Sequence, residues 1–417
     1  MDLSYIDQTL HFEEVSLETL ADEFDTPLYV YNQPALMRAA QAMDLALVGR
    51  TPHLICYAVK ANPSLAIIQA FAQQGFGADV TSGGELHRAL KAGIRPECIV
   101  FSGVGKTATE VRLGLEAGIR AFHIESAWEL EMIQHKAEIS SAIVPLALRV
   151  NPDVDAHTHP SITTGIHETK FGIAWEAIPE LVAAIQSTPS IQLVGLSMHI
   201  GSQITEIEPF REAAGRLAGL ARDLLNNGIE LGYLDFGGGL GARYLNETPP
   251  SFAEWGQTLR QVLGDLPLEL VVEPGRALIA EMGVLITRVL GIKQTPRKTF
   301  VITDAGMTDL IRPMLYGAYH PIWPVRQRQD APEKIVDVVG PVCETTDTLA
   351  KDRALPLSEP GDLLAILHVG AYGAAMASNY NSRPRAAEVM VKQDGSAQLI
   401  RSRETYEDMT RNEFMLQ

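Results

Sequence analysis

This 417-residue sequence predicts an α/β TIM barrel with a second, β-rich C-terminal domain. Three observations lead there. From about residue 50 the chain alternates short apolar runs with longer amphipathic ones, and the first five short runs begin about 23 residues apart, the period of a βα unit. Eight such units fit before residue 280. Beyond that point helical periodicity gives way to apolar segments separated by Pro, Gly and Asp.

In chain order, residues 1–33 contain the strand-like "TPLYVYN" ahead of the barrel, so this N-terminal segment is expected to join the sheet of the β domain. Residues 34–280 are expected to form the barrel. Its strands are "HLICYAV", "GFGADV", "CIVFSG", "AFHIES", "VPLALRV", "VGLSMHIG", "YLDFGGG" and "LELVVEPG". Helical patterns such as "SLAIIQAFAQQ", "GELHRALKAG" and "AWELEMIQHKA" lie between them, and "DAHTHPSITTGIHETKFG" is an insertion after the fifth strand. Residues 281–417 form the C-terminal β domain, with strands in "RKTFVITDA", "EKIVDVVG", "DLLAILHV" and "AAEVMVK".

Composition excludes several functions. The net charge of −17 argues against a nucleic-acid groove, which needs clustered Lys and Arg, although a local arginine pocket can still hold a small anion. Three cysteines without metal-ligand spacing suit a reducing compartment, and no metal site is expected. The acidic N-terminus lacks the basic start and apolar run of a signal peptide. "LLAILHVGAYGAAMAS" is too short for a membrane span and contains a histidine and two glycines. A soluble, cytoplasmic protein with no membrane partner is expected.

In a TIM barrel, chemistry sits where strands end at the C-terminal face. Those ends carry Lys60, Asp79, Arg149, His199, Gly237 to Gly239, and Glu273 to Arg276, a polar set for buried strands. Partly desolvated at the mouth, Lys60 becomes an amine nucleophile toward aldehydes; taken alone, a snorkelling surface lysine is the favoured reading. "FGGGLG" admits close backbone approach and can hold a phosphate on free N–H groups, or can simply be a tight turn. His199 and Ser202 of "HIGSQ" supply a ring that can stack and a hydroxyl, and His199 taken singly reads equally as a core histidine. Glu273 and Arg276 of "EPGR" are a carboxylate at a strand end and a nearby cation, which also describes a structural pair. "SGVGKT" imitates a phosphate-binding loop, but Val100 stands where its first glycine belongs, so it reads as a strand-to-helix turn. An amine, a phosphate cradle, a stacking ring and a buried carboxylate together meet the needs of pyridoxal 5'-phosphate.

The motifs "YAVKANP", "GADVTSGGEL", "HIGSQ", "DFGGGLG", "EPGR", "IRPMLYGAYH", "GPVCETTD" and "GAYGAAMASNYNSRPR", in this order across nearly the whole chain, resemble the diaminopimelate decarboxylases. These are pyridoxal enzymes of the alanine-racemase-like fold. The resemblance implies that Lys60 carries the cofactor as a Schiff base, that His199 stacks on its ring and that Glu273 pairs with the pyridine nitrogen. Ser202, Gly238, Gly239, Gly275, Arg276 and Tyr372 would reach or flank the phosphate. Arg276, Arg312 and Tyr316 would grip the distal carboxylate of the substrate, with Tyr372 beside it, and "SITTGIHETKFG" resembles the substrate-specificity element.

By the same resemblance the chain forms a homodimer with shared active sites. Cys343 enters the partner's site to protonate Cα after carbon dioxide leaves, and Glu344 binds the distal ammonium. Cys56 and Cys98 keep the reading of buried core residues. Thr345 stands where the family more often has serine, and it keeps the hydroxyl. The implied reaction is decarboxylation of meso-diaminopimelate to L-lysine, the last step of lysine synthesis. Two alternatives remain at this stage. One is a decarboxylase for ornithine, arginine or lysine, whose cationic substrates would meet repulsion from Arg312. The other is a non-catalytic pyridoxal-binding regulator, against which stand both Lys60 and Cys343.

Overall fold

The computed structural model describes residues 3–140, 143–155, 170–328 and 331–416. The chain divides into two compact units. One comprises Met37–Ala242 with Glu247–Ala277, and the other Met1–Leu36, Arg243–Asn246 and Leu278–Gln417.

The first unit is a closed barrel of eight parallel strands. In chain order these are His53–Ala58, Gly77–Val80, Ile99–Phe101, Ala121–Ile124, Val144–Arg149, Ile191–Ser197, Tyr233–Asp235 and Glu269–Val272. The last pairs with the first, setting Leu270 opposite His53 and Val272 opposite Ile55. Seven of the eight strands fall within a run read as apolar and Ile191–Ser197 begins three residues ahead of its run, because strands buried on both faces leave little room for polar alternation. Leu54, Cys56, Cys98, Val100, Ala121, Ala147, Tyr233 and Val271 pack together as a core, so Cys56 and Cys98 are interior residues. Tyr233 lies so close to the neighbouring strand that a Cβ on Gly195 would come within 2.8 Å of its ring.

Two of the barrel helices show side-chain caps at their starts. Ser82 accepts from the Glu85 N–H ahead of Gly83–Lys91. Thr107 and Glu110 form a reciprocal capping box ahead of Ala108–Ala117, which ends at left-handed Gly118. "SGVGKT" is thus the turn between the strand Ile99–Phe101 and this cap.

The second unit is built on a nine-stranded sheet. Its long strand Gly283–Gln294 pairs antiparallel with Leu28–Asn32, Leu363–Leu367 and Thr299–Thr303. Leu28–Asn32 runs parallel to Ala387–Val391, which is flanked by Ala397–Arg401. Glu333–Val339 and Thr348–Pro356 extend the other side, and Ile322–Pro324 pairs with Leu363–Leu367. A separate three-stranded sheet, Leu3–Ile6, Thr9–Phe12 and Val15–Ser16, packs through Leu10 and Phe12 onto Val30, Ile286 and Val389. The apolar stretch that looked most like a membrane segment contains the fully buried strand Leu363–Leu367. Among the described residues, no helix is long and apolar enough to cross a membrane.

Candidate functional site

The strand His53–Ala58 runs directly into a short 3-10 turn, Val59–Ala61, which carries Lys60 at the barrel mouth. Its Nζ donates to Oδ2 of Asp79, 2.6 Å away on the adjacent strand. Asp79 is fully buried, whereas water still reaches the Lys60 side chain. Burial and then repulsion from Glu273 raise the Asp79 carboxyl against the pull of the ammonium.

Glu273 follows the last barrel strand and is buried. Ser102 Oγ donates to its Oε1 at 3.2 Å, and His123 Nδ1 faces the same oxygen at 3.5 Å. The other ring nitrogen of His123 meets the Tyr233 hydroxyl at 2.9 Å, which fixes the imidazole in the barrel interior. Burial pushes Glu273 up, but the contact with His123 and the charges of His123 and Lys60 outweigh it, holding the carboxyl down at about 2. Asp235 goes the other way. Burial and the neighbouring Glu273 charge push it well above the carboxylate range, although its carboxylate accepts from the Gly237 N–H at 2.8 Å. The two neighbouring carboxyls are thus shifted in opposite directions, Glu273 down and Asp235 up.

The strand Ile191–Ser197 leads to His199, whose Nδ1 accepts from the Gly238 N–H at 3.3 Å. Burial, then the charges of Arg149 and Lys60, hold this imidazole down at about 3, so it is neutral at pH 7. The glycine turn packs onto the same segment. A Cβ on Gly237 would collide with the Met198 carbonyl oxygen, one on Gly238 with that of Glu273, and one on Gly239 with that of Gly201. Gly237 and Gly239 also take positive φ values of 68° and 106°. Arg276 is buried and donates from Nε and Nη2 to Ser202 Oγ at 3.2 and 3.0 Å. Gly275 is held close, since its Cβ would come 3.0 Å from that of Ala61. The barrel end therefore gathers Lys60, His199, Ser202, Gly238, Gly239, Glu273, Gly275 and Arg276. An amine to take a carbonyl carbon, a cation with a hydroxyl for an anion, and an ionised buried carboxylate are available in one mouth.

Arg149 is committed to a buried pair with Glu125 at 2.9 Å. Lys106, from the turn that imitates a phosphate loop, is buried too, donating to Glu129 at 3.2 Å and to the carbonyls of Gly103 and His123.

The remaining expected site residues belong to the second unit. Arg312 opens the five-residue helix Arg312–Tyr316 and is buried; Tyr316 closes it and is half-buried. The guanidinium lies over the Tyr244 ring, 4.8 Å from its centroid, and Nη1 contacts His320 Nε2 at 2.9 Å. Cys343 is an exposed free thiol and Glu344 is exposed beside it. Their loop is fixed underneath by buried Asp347, which accepts from the N–H groups of Met307 at 2.6 Å and Val342 at 2.7 Å. The Cys343 N–H donates to Asn381 Oδ1 at 2.8 Å. Tyr372 is held at a φ of 58°, a left-handed conformation costly for a bulky residue and common where function constrains the chain. The expected specificity element spans 161–172, and its residues 161–169 lie outside the described residues.

The sequence reading gave no part to Ser102, His123 or Asp235. The available signal was a polar residue inside a buried strand: His123 in "AFHI" and Asp235 in "YLD".

Residues 34–280 match the family described as "Pyridoxal-dependent decarboxylase, pyridoxal binding domain". A diaminopimelate decarboxylase of Pseudomonas aeruginosa is 47% identical over 413 residues, covering 99% of each chain. Two solved structures are close in shape. Diaminopimelate decarboxylase of Helicobacter pylori, complexed with L-lysine, superposes with a TM-score of 0.91 at 42% identity, covering 94% of this chain and 98% of that one. That of M. jannaschii, also in complex with L-lysine, has a TM-score of 0.94 at 35% identity, covering 99% and 98%.

Proposed function

Because the chain belongs to the diaminopimelate decarboxylases, a family of pyridoxal-dependent decarboxylases, we propose that it converts meso-2,6-diaminopimelate to L-lysine and carbon dioxide. The observation that carries this reading is the pairing of a mouth lysine held on Asp79 with a Glu273 carboxylate kept ionised in the barrel. The same residues fit pyridoxal 5'-phosphate. A buried carboxylate at about 2 is the partner that a protonated ring nitrogen needs, and the Arg276 guanidinium and Ser202 hydroxyl suit a phosphate beside glycines that tolerate no side chain.

When bound, the cofactor supplies an electron sink for the pair left by the departing α-carboxylate. Lys60 would be the residue that holds the cofactor through its aldehyde carbon, and Asp79, which accepts from its Nζ at 2.6 Å, orients that amine. Glu273 keeps a proton on the ring nitrogen. Its ionisation is maintained by Ser102 and His123, so the two act through the carboxylate and need not touch the ring. His199, neutral at pH 7, offers an uncharged face for stacking. Arg276, Ser202 and the glycine turn bind the phosphate, flanked by Gly275 and Tyr372.

Arg312, with Tyr316 and Arg276, grips the distal carboxylate of the substrate through charge-assisted bonds. Cys343 delivers the proton to Cα, and Glu344 takes the distal ammonium. Both serve the site of a partner chain in a homodimer, and the exposure of this thiol and carboxylate supports that reading. An ornithine or lysine substrate would present an ammonium to Arg312, a repulsive pairing.

Carbon dioxide release by the cofactor-loaded protein tests the assignment. Release is expected from meso-diaminopimelate and not from L-ornithine, L-arginine or L-lysine. Equal release from one of those three would overturn it.

A further inference from the structure

His320 takes no part in the chemistry proposed above, yet each of its ring nitrogens has a partner. The ring is completely buried. Nδ1 lies 2.9 Å from the Leu367 carbonyl oxygen, and Nε2 lies 2.9 Å from Nη1 of Arg312. A carbonyl only accepts and a guanidinium only donates. Nδ1 therefore carries the proton, and Nε2 turns a lone pair toward Arg312. The ring is neutral and in one tautomer.

The anchor beneath it is rigid, since Leu367 pairs with Val284 in the central strand of the sheet. By contrast, the helix that carries Arg312 has five residues and cannot by itself fix so long a side chain. A second constraint comes from Tyr244. Its ring lies 4.8 Å from the guanidinium carbon and meets the His320 ring edge-on at 83°, with centroids 5.4 Å apart. The guanidinium is thus held on one face by an aromatic ring and at one N–H by an imidazole.

We propose that His320 is a positioning residue for substrate choice: by accepting one N–H of Arg312 it aims the rest of the guanidinium at the distal carboxylate. The inference rests on the role proposed for Arg312. An arginine presents its N–H donors in a rigid planar fork, so fixing one of them on His320 sets the plane and direction of the others. Fixing the side chain beforehand lowers the entropy lost when the substrate binds. Tyr244 supports the same orientation through its ring.

The test uses the cofactor-loaded enzyme and reads binding as well as turnover. His320→Phe keeps an aromatic ring against Tyr244 and removes both nitrogens, whereas His320→Gln keeps an acceptor for Arg312. The KM for meso-diaminopimelate and the inhibition constant of pimelate, a seven-carbon dicarboxylate without amines, are measured beside kcat, cofactor absorbance and melting temperature. His320→Phe is expected to raise KM and the pimelate constant by about tenfold, with kcat within about threefold and cofactor absorbance as in the parent. His320→Gln should regain most of that loss. Should His320→Phe fail to fold, His320→Asn keeps a donor for Leu367 but cannot reach Arg312, and it should show the same rise. Placed on Arg312→Met, His320→Phe should add less than about twofold, because the group it orients is gone. Parental KM and pimelate binding in His320→Phe, with Arg312→Met impaired, would overturn the inference alone. Parental values in Arg312→Met would overturn the role of Arg312 and this inference with it.

Discussion

Lys60 Nζ and Asp79 Oδ2 are 2.6 Å apart at the ends of adjacent barrel strands, whose register sets Ala58 opposite Asp79. The carboxylate is fully buried, and water still reaches the lysine side chain. A lysine so placed is held at the barrel mouth by a buried carboxylate on the neighbouring strand.

Lys60→Ala should therefore abolish decarboxylation while the cofactor still binds through its phosphate. The absorbance band of the covalently bound cofactor should be lost, while free-aldehyde absorbance remains with the protein after gel filtration. Activity within about tenfold of the parent would exclude Lys60 as the covalent residue.

Glu273→Gln keeps size and an acceptor but removes the charge. A neutral amide cannot hold a proton on the ring nitrogen, so kcat should fall by on the order of 10²-fold while substrate KM changes little. Retention of parental kcat would mean that the carboxylate has a structural role only.

Asp309 gives a pH-dependent prediction in the second unit. Burial raises this carboxyl from 3.8 to about 6. The folded state thus binds the proton more tightly than the unfolded chain. The associated stability is present below pH 4 and is lost as pH rises through 6, by at most about 3 kcal/mol. Asp309→Asn keeps an oxygen for the Gly306 N–H, 3.0 Å away, and cannot ionise. Urea melts should give the variant little advantage at pH 4 and roughly 1–3 kcal/mol at pH 7. An advantage independent of pH would contradict the assignment.

The barrel was legible because its strands, covered on both faces, read as continuous apolar runs such as "HLICYA" and "VPLALR". Parts of the second unit were not. The strands Leu3–Ile6 and Thr9–Phe12 have four residues each, too few for a period to stand out. Ile322–Pro324 ends in a proline, and Thr348–Pro356 carries Lys351, Asp352 and Arg353 in succession, which hides alternation. Within the site, Lys60 and Glu273 were legible as polar residues terminating apolar runs. Ser102, His123 and Asp235 were not, because they reach Glu273 from two other strands and the turn after a third, and spacing along the chain does not encode a contact across a barrel.

The shared-site reading predicts complementation. Lys60→Ala and Cys343→Ala homodimers should each be nearly inactive. Mixing them under subunit exchange should restore roughly a quarter of parental activity, since half the dimers are mixed and half of their sites are whole. No recovery after confirmed exchange would mean that Cys343 serves its own chain or no site.

The central claim is that this chain removes an α-carboxylate and returns a proton to the same carbon. Turnover of meso-diaminopimelate by the cofactor-loaded protein in deuterium oxide tests both halves at once, with carbon dioxide and lysine quantified together. The account predicts one carbon dioxide per L-lysine, with a single deuterium at the carbon that lost its carboxylate. Deuterium entering diaminopimelate without release of carbon dioxide, or no lysine formed at all, would contradict it.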